Sequence, residues 1–275
     1  VEAQAVPLDR KQEQKLWDAF RKPLDEAFNR KGQARERAAS ALSEHDREVL
    51  EASRAVEREM SGRSGITCVP MALDRAVAGG ISYRSGMLID ADGYTVDFSD
   101  VPTLPGAHNA QNAAAAWAAC RWLDVPREKI ADGLRGYPGL PHRQERVAAV
   151  GNVVYVNDSK ATNGASTAPA LAAYPRVHWI VGGLPKTDNL DECIPNFGHV
   201  VKAYTIGEAG PLFHELLSPH LPVERSEMMG TAVHSAAAQA QPGDVIMLSP
   251  ACASFDQFKD FEARGDAFRA IVEAL

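Results

Sequence analysis

The sequence has no long hydrophobic run and no excess of positive charge. Its apolar stretches are shorter than the roughly 18 residues that a membrane-spanning helix needs, and the mean hydropathy is -0.24. Lys and Arg number 29 against 36 Asp and Glu, giving a formal net charge of -7. A broad nucleic-acid-binding surface requires the opposite balance. We therefore predict a protein with neither a membrane span nor a nucleic-acid partner.

Cysteine is also scarce. The four residues lie far apart and form no C-x-x-C pair, which excludes a disulfide framework and a zinc knuckle; they are Cys68, Cys120, Cys193 and Cys252. Reduced thiols of this kind favour a cytoplasmic location. The N-terminus has no apolar signal core, and it does not begin with Met, which indicates a processed or excised chain.

Charge density divides the chain, whose 275 residues predict about two domains. Residues 1–60 contain 12 Lys or Arg, 13 Asp or Glu and a single glycine, so they are predicted to be a charged helical segment. One amphipathic helix begins at Asp9 and a second near Ser43. Their apolar residues are expected to pack on the rest of the chain, in particular Leu16, Trp17, Phe20, Leu50 and Val56.

The remaining sequence is of the α/β class. Short strands, a hairpin and an alanine-rich helix from Asn109 to about Leu123 are predicted first. Apolar runs then alternate with helical stretches, and this pattern indicates a mostly parallel, Rossmann-like sheet with helices on both faces. The predicted strands are VVYVN (153–157), VHWIV (177–181), VKAYTI (201–206) and VIMLS (245–249). The predicted helices are Thr167–Tyr174, Pro211–Leu217, Thr231–Gln241 and Phe255–Ala274.

Polar residues follow three of these strands, where parallel sheets bind ligands. The segments are NDSKATN (157–163), GGLPKT (182–187) and SPACAS (249–254). Thr162, Lys186 and Ser254 are predicted to form a pocket for a small acid, with Ser254 at the N-terminus of the last helix. The glycine pair at 182–183 is expected to let the backbone approach a ligand. Cys252 lies beside this pocket, and we interpret it as a packed residue and not a nucleophile.

Complete nucleotide-binding motifs were not found. Pro185 occupies the place of the glycine that a phosphate loop needs before its lysine, and no G-x-G-x-x-G follows a strand. A Rossmann dehydrogenase is therefore disfavoured. Asn109 and Asn112 share one face of a helix start, where they either hold a polar ligand or cap the helix.

Five segments together resemble the Mur ligase family, and within it the members that add D-glutamate. They occur in family order at compatible spacing, and they are GAHNAQNAAAAWAA (106–119), GLPHRQE (139–145), NDSKATN (157–163), GGLPK (182–186) and SPACASFDQFKDFEARG (249–265). The resemblance runs from about Ser53 to Leu275. It identifies residues 61–145 as a partial central ATPase domain and residues 146–275 as a complete C-terminal, D-glutamate-binding domain.

The resemblance implies an ATP-dependent ligase of peptidoglycan precursor synthesis. Such an enzyme activates the carboxylate of UDP-N-acetylmuramoyl-L-alanine as an acyl phosphate, which the amine of D-glutamate attacks; ATP and magnesium are the implied cofactors. The residues implied to contact the nucleotide are Asn109, Asn112, Arg143, Asp158 and Lys160. Those implied to bind D-glutamate are Thr162, Lys186, Ser254, Phe255 and Phe261.

The sequence also departs from the family pattern. It has no counterpart of the uridine-nucleotide domain, the Gly-Lys-Thr phosphate loop or the magnesium ligands, and residues 1–52 do not resemble these ligases. No complete catalytic set and no metal site are therefore predicted, and we expect the isolated chain not to turn over. The alternative is a non-catalytic chimera, scaffold or small-acid-binding module, with residues 1–60 recruiting a helical partner.

Overall fold

The computed structural model describes Glu59, Gly65 and residues 67–275. Val69–Leu275 form one compact unit that contains two sheets. Except for Glu59, which is helical, the predicted helices of residues 1–60 lie outside the described residues. The same holds for the predicted packing of Leu16, Trp17, Phe20, Leu50 and Val56.

The first sheet consists of four short strands in the order of the chain. They are β1 (Met71–Leu73), β2 (Ile81–Arg84), β3 (Met87–Ile89) and β4 (Thr95–Asp97). β1 runs parallel to β2, whereas β2, β3 and β4 are antiparallel neighbours. The hairpin between β2 and β3 turns at Ser85 and Gly86, whose φ angles of 49° and 77° match a two-residue type I′ turn.

Two helices follow this sheet, α1 (Ala107–Trp122) and α2 (Arg127–Arg135). α1 begins two residues before the predicted Asn109, directly after Gly106 at φ 85°. Small side chains on its buried face allow the helix to approach the sheet closely. The resulting core contains Ala110, Ala113, Ala114 and Trp117 of α1 with Ile81, Leu88 and Val96 of the strands.

The second sheet has six strands in the order β5-β6-β10-β7-β8-β9. They are β5 (Glu145–Val150), β6 (Val153–Asn157), β7 (Val177–Gly182), β8 (Val200–Ile206), β9 (Val223–Glu227) and β10 (Val245–Leu248). β5 is antiparallel to β6, and every other neighbouring pair is parallel. β7 lies in the interior of the sheet with all its residues buried. The predicted mostly parallel α/β sheet is confirmed.

Helices cover both faces of this sheet, as predicted. They are α3 (Gly164–Ala172), α4 (Gly210–Leu217), α5 (Met229–Gln239) and α6 (Phe261–Glu273). On one face, residues of α3, α4 and the 3-10 helix Asp191–His199 pack in a common core. On the other face, α5 and α6 pack in a second core. Among the described helices, none combines the length and the apolar composition that a bilayer span requires.

Two strands were not predicted, and both lie at the edges of the sheet. β5 has the sequence ERVAAV and β9 the sequence VERSE. Edge strands are half exposed and tolerate charged residues, so neither segment shows the apolar run by which the interior strands were recognised. The first and last positions of the sheet order were therefore missing from the sequence-based prediction.

The start of the last helix was also wrongly predicted. α6 begins at Phe261 and not at Phe255, and Asp260 caps it by accepting a hydrogen bond from the Ala263 N–H at 2.6 Å. Asp260 has extended backbone angles and a carboxylate, which is the preferred form of an N-cap. Ser254 therefore does not lie at a helix N-terminus. It is 2% exposed within the irregular segment that precedes α6.

Candidate functional site

A cavity of about 700 Å³ opens between the start of α1, the loop before β5 and the carboxyl end of β6. Small-molecule sites commonly have volumes of about 300–1,000 Å³. All five residues implied to contact a nucleotide line it, namely Asn109, Asn112, Arg143, Asp158 and Lys160. Thr162, from the group implied to bind D-glutamate, lines the same cavity.

The two asparagines lie on the α1 wall of the cavity. The Nδ2 of Asn109 donates a hydrogen bond to the carbonyl of Pro105 at 2.8 Å. Gly106 occupies the N-cap position, where no side chain caps the helix. Neither asparagine is thus the N-cap, and the capping interpretation is wrong. Asn112, one turn further on, is exposed and lines the cavity.

Asp158 lies on the opposite wall, directly after β6. Its side chain is buried, and its carboxylate accepts hydrogen bonds from the Gln144 N–H at 3.1 Å and the Ser249 hydroxyl at 2.8 Å. Burial raises the pKa of Asp158 to about 7, although these two hydrogen bonds and the charge of Arg143 oppose the rise. The carboxyl therefore changes protonation state near neutral pH, and its remaining lone pairs can accept hydrogen bonds from a ligand.

Lys160 and Phe261 are in direct contact, although they were predicted to serve different ligands. The Nζ of Lys160 lies 3.8 Å from the centroid of the Phe261 ring, a distance typical of a cation–π interaction. The backbone N–H of Lys160 donates to the carbonyl of His142 at 2.9 Å. Lys160 is therefore fixed between the loop before β5 and the first residue of α6.

Thr162 and Lys186 meet at the edge of the cavity. The Nζ of Lys186 donates a hydrogen bond to the Thr162 hydroxyl at 3.1 Å. The loop that bears Lys186 is held against the loop after β10 by two backbone hydrogen bonds between Leu184 and Ala253, of 2.9 and 3.0 Å. Residues following β6, β7 and β10 thus converge, as the parallel strand pattern predicted.

The glycine pair between β7 and Lys186 is required by the packing of neighbouring strand ends. A Cβ at Gly182 would collide with the carbonyl of Ile206, and a Cβ at Gly183 with the carbonyl of Ala253. Both residues have φ angles that favour glycine, 128° and 135°. The approach of a ligand to this backbone stays a prediction.

The other predicted acid-binding residues do not all face one space. Ser254 is buried at 2% exposure, whereas the neighbouring Phe255 is 68% exposed. Neither residue is among those that line the 700 Å³ cavity, and the same is true of Lys186 and Phe261. Thr162 is therefore the link between the cavity and the residues implied to bind D-glutamate.

Comparison with known proteins identifies relatives of the chain that forms this cavity. Residues 142–252 match a family model described as Mur ligase, glutamate ligase domain. The UDP-N-acetylmuramoylalanine–D-glutamate ligase of Novosphingobium aromaticivorans is 66% identical to this chain over 174 residues. Residues 142–252 are therefore a Mur ligase domain. The corresponding ligase of Sphingopyxis alaskensis is 51% identical over 206 residues.

The chain spans about half the length of the Mur ligases that it matches. The aligned regions cover 63% and 73% of this chain but 39% and 48% of the Novosphingobium and Sphingopyxis proteins. The solved structure of UDP-N-acetylmuramoyl-L-alanyl-D-glutamate–2,6-diaminopimelate ligase matches 81% of this chain and 51% of its own, with a TM-score of 0.52 and 15% identity. At that identity the match shows that the two share a fold.

Arg264 is a residue of this candidate site that the sequence analysis missed. It is 1% exposed, and its guanidinium donates to the hydroxyl and carbonyl of Ser159 and to the carbonyls of Ala253 and Cys252, at 2.8–3.1 Å. Burial lowers its pKa to about 10. It thereby joins the loop after β6 to the loop after β10. A signal was present, because Arg264 falls on the same helical face as Phe261 and Phe268.

Cys252 is a packed residue, as interpreted from the sequence. Its side chain is fully buried in the core on the α3 and α4 face. Burial raises the pKa of its thiol to about 12, whereas a nucleophilic cysteine needs a lowered pKa. The chemistry of this Mur ligase site therefore does not use the Cys252 thiol.

Proposed function

We propose that this chain provides the D-glutamate site and part of the adenine-nucleotide site of an ATP-dependent ligase. The reaction would join D-glutamate to UDP-N-acetylmuramoyl-L-alanine through a carbon–nitrogen bond, in the synthesis of peptidoglycan precursors. The names of the relatives support this activity. Because the chain spans about half of their length, the complete reaction and its substrates are part of the proposal.

The observation that supports this proposal best is the position of Thr162. It lines the cavity that contains the implied nucleotide contacts, and it accepts a hydrogen bond from Lys186 outside that cavity. A ligase that activates one acid and adds a second needs the nucleotide and the acid side by side, because reacting groups must be within about 3–3.5 Å of one another. Thr162 and Lys186 would hold the acid at the edge of the nucleotide cavity.

We assign separate roles to the two walls of the cavity. Asn109 and Asn112 would contact the nucleotide base from α1. Arg143, Asp158 and Lys160 would contact its sugar and phosphate groups from the other wall, where two of the three side chains can be cationic. Lys186, Ser254, Phe255 and Phe261 would bind D-glutamate together with Thr162, and the exposed ring of Phe255 would have to move towards the ligand.

The described site is large enough for ATP, and its own side chains form no preformed magnesium cage. The cavity of about 700 Å³ is large enough for a nucleotide. Among residues 67–275, no group of three or more His, Cys, Asp or Glu side chains could hold a metal ion. The carboxylate of Asp158 in this cavity is already hydrogen-bonded through both oxygens. We therefore derive no step through magnesium from these residues.

The test is a complementation assay. We would measure ATP-dependent phosphate release by the purified chain with D-glutamate and UDP-N-acetylmuramoyl-L-alanine. One reaction would contain the chain alone, and the other would add the N-terminal part of the Novosphingobium ligase that lies outside the aligned region. Phosphate release dependent on both acids and on the added part is expected. Absence of release from a folded mixture, together with absence of D-glutamate binding, would favour the non-catalytic scaffold.

A lysine variant makes this test specific. In the complemented reaction, Lys186→Ala is expected to raise the KM for D-glutamate about tenfold, because it removes a charge-assisted contact to the carboxylate, which is roughly twice as strong as a neutral hydrogen bond. Lys129→Ala, an exposed lysine on α2, is the matched control and should leave the KM unchanged. Equal KM values for the two variants would contradict the assignment of Lys186. The cytoplasmic location and a helical partner for residues 1–60 stay predictions.

A further inference from the structure

The two walls of the nucleotide cavity are connected by a single hydrogen bond. Among the hydrogen bonds and ion pairs between described residues, one joins residues 67–138 to residues 142–275. The Nε2 of Gln144 donates to the Nε2 of His108 at 2.9 Å. His108 belongs to α1, on the asparagine wall, and Gln144 belongs to the loop before β5. Both residues line the cavity.

Gln144 also contacts the opposite wall through its backbone. Its N–H donates to the Asp158 carboxylate at 3.1 Å, and it adopts a left-handed conformation with φ 46°. Its side chain is buried at 8% exposure. One residue thus bonds to Asp158 on one side and to His108 on the other. Gln144 is thus bonded to both walls of the cavity.

His108 is suited to accept this hydrogen bond. Burial lowers the pKa of His108, so the ring is neutral at pH 7. A neutral imidazole has one acceptor nitrogen, and Gln144 uses it. Gly106 lies close to the ring, since a Cβ added there would come within 3.1 Å of its Cε1 and Nδ1 atoms.

A contribution to fold stability does not by itself explain why a glutamine occupies position 144. Its Oε1 is buried without a hydrogen-bond partner among the described residues, and an unsatisfied buried acceptor destabilises a protein. A methionine of similar length would lose one hydrogen bond and remove one unsatisfied oxygen, two effects of opposite sign. An amide that contributes little to stability and joins the two walls of a cavity points to a role in binding.

We infer that Gln144 is a positioning residue, which holds the α1 wall and the Asp158 wall at the spacing that an adenine nucleotide requires. This inference rests on the proposed nucleotide site. The amide acts through His108 and Asp158 and needs no contact with the nucleotide itself.

The test is calorimetric titration of ADP into the full chain. Gln144→Met and His108→Phe are each expected to weaken ADP binding about fivefold, the equivalent of one hydrogen bond. The double variant should bind no more weakly than either single variant, because both substitutions break the same bond. The melting temperature of Gln144→Met should stay near that of the unsubstituted chain. Gln111→Met, an exposed glutamine on the same helix as His108, is the matched control.

The outcomes separate this inference from the proposed function. If the unsubstituted chain does not bind ADP, both the proposed nucleotide site and the positioning role of Gln144 are wrong. If that chain binds ADP and Gln144→Met binds equally well, the positioning role alone is wrong. Additive losses in the double variant would show two separate contacts, and a melting temperature that falls in parallel with affinity would show a structural role. Either result would overturn the inference.

Discussion

Replacing Arg264 by Met tests whether the buried guanidinium holds the two loops of the site together. The side chain donates to four acceptors, two on Ser159 and one each on Ala253 and Cys252. Methionine has a similar length and no donor. The substitution therefore leaves the carbonyls of Ser159 and Cys252 without a partner, whereas the Ala253 carbonyl keeps the Leu184 N–H and the Ser159 hydroxyl keeps the Phe261 carbonyl.

Two effects of opposite sign determine the result. Each buried acceptor left with no partner costs about 1–3 kcal/mol, or roughly 2–6 kcal/mol for the carbonyls of Ser159 and Cys252. Removing the charge recovers several kcal/mol of desolvation, the same effect that lowers the pKa of Arg264 to about 10. The loss of hydrogen bonds is the larger effect. We expect the free energy of unfolding to fall by about 3–5 kcal/mol, as when one partner of a buried charged network is removed.

The assay is urea denaturation followed by tryptophan fluorescence, for which the buried Trp179 is a suitable probe. Arg269→Met is the control, because Arg269 lies on the same helix and forms partly exposed ion pairs with Glu145 and Asp266. Pairs of this kind contribute about 0–1 kcal/mol. A loss in Arg264→Met no larger than that in Arg269→Met would refute the reasoning, since it would mean that the buried carbonyls of Ser159 and Cys252 need no donor.

Two other substitutions give independent tests. The pKa of Asp158 is raised in the folded protein to about 7, so its contribution to stability is complete below its unfolded pKa of about 4 and is lost as pH rises to about 7. Asp158→Asn does not titrate, and the difference in unfolding free energy between the two proteins should therefore change across this window; a constant difference in urea denaturation at several pH values would contradict the raised pKa. Asp260→Ala removes the N-cap of α6 and should lower the unfolding free energy by about 1 kcal/mol. If Ser254→Ala showed this loss and Asp260→Ala did not, Ser254 would be the cap and the prediction would be wrong.

The strands that could be predicted from sequence are those in the interior of the sheet, where the surroundings admit mainly apolar side chains. β6, β7, β8 and β10 are interior strands of a parallel sheet and read as apolar runs. β5 and β9 lie at the edges, where solvent accepts charged side chains, so their sequences are not distinctive. The start of α6 was misplaced because Ser254 and Asp260 are both acceptable caps by composition, and the tertiary structure buries Ser254 and leaves Asp260 to cap.

Some residues of the candidate site could also be predicted from the sequence, and others could not. Thr162 and Lys186 were found because both follow strands of one parallel sheet, and such strands end at a common edge. The contact between Lys160 and Phe261 could not be predicted, because it depends on where α6 begins. Arg264 and Gln144 were missed because arginine and glutamine are usually exposed; the helical spacing of Arg264 with Phe261 and Phe268 was a signal for the first, and only the packed structure shows that Gln144 is buried.

The order of the strands has a consequence for how the chain is made. β10 lies between β6 and β7, although it is the last strand to be synthesised. Until Val245–Leu248 have been synthesised, β6 can pair only with β5, and β7 only with β8. The two halves of the sheet therefore join only after β10 is available, and such non-local pairing is slow. A chain that stops before β10 would contain five of the six strands and still lack the core of the domain.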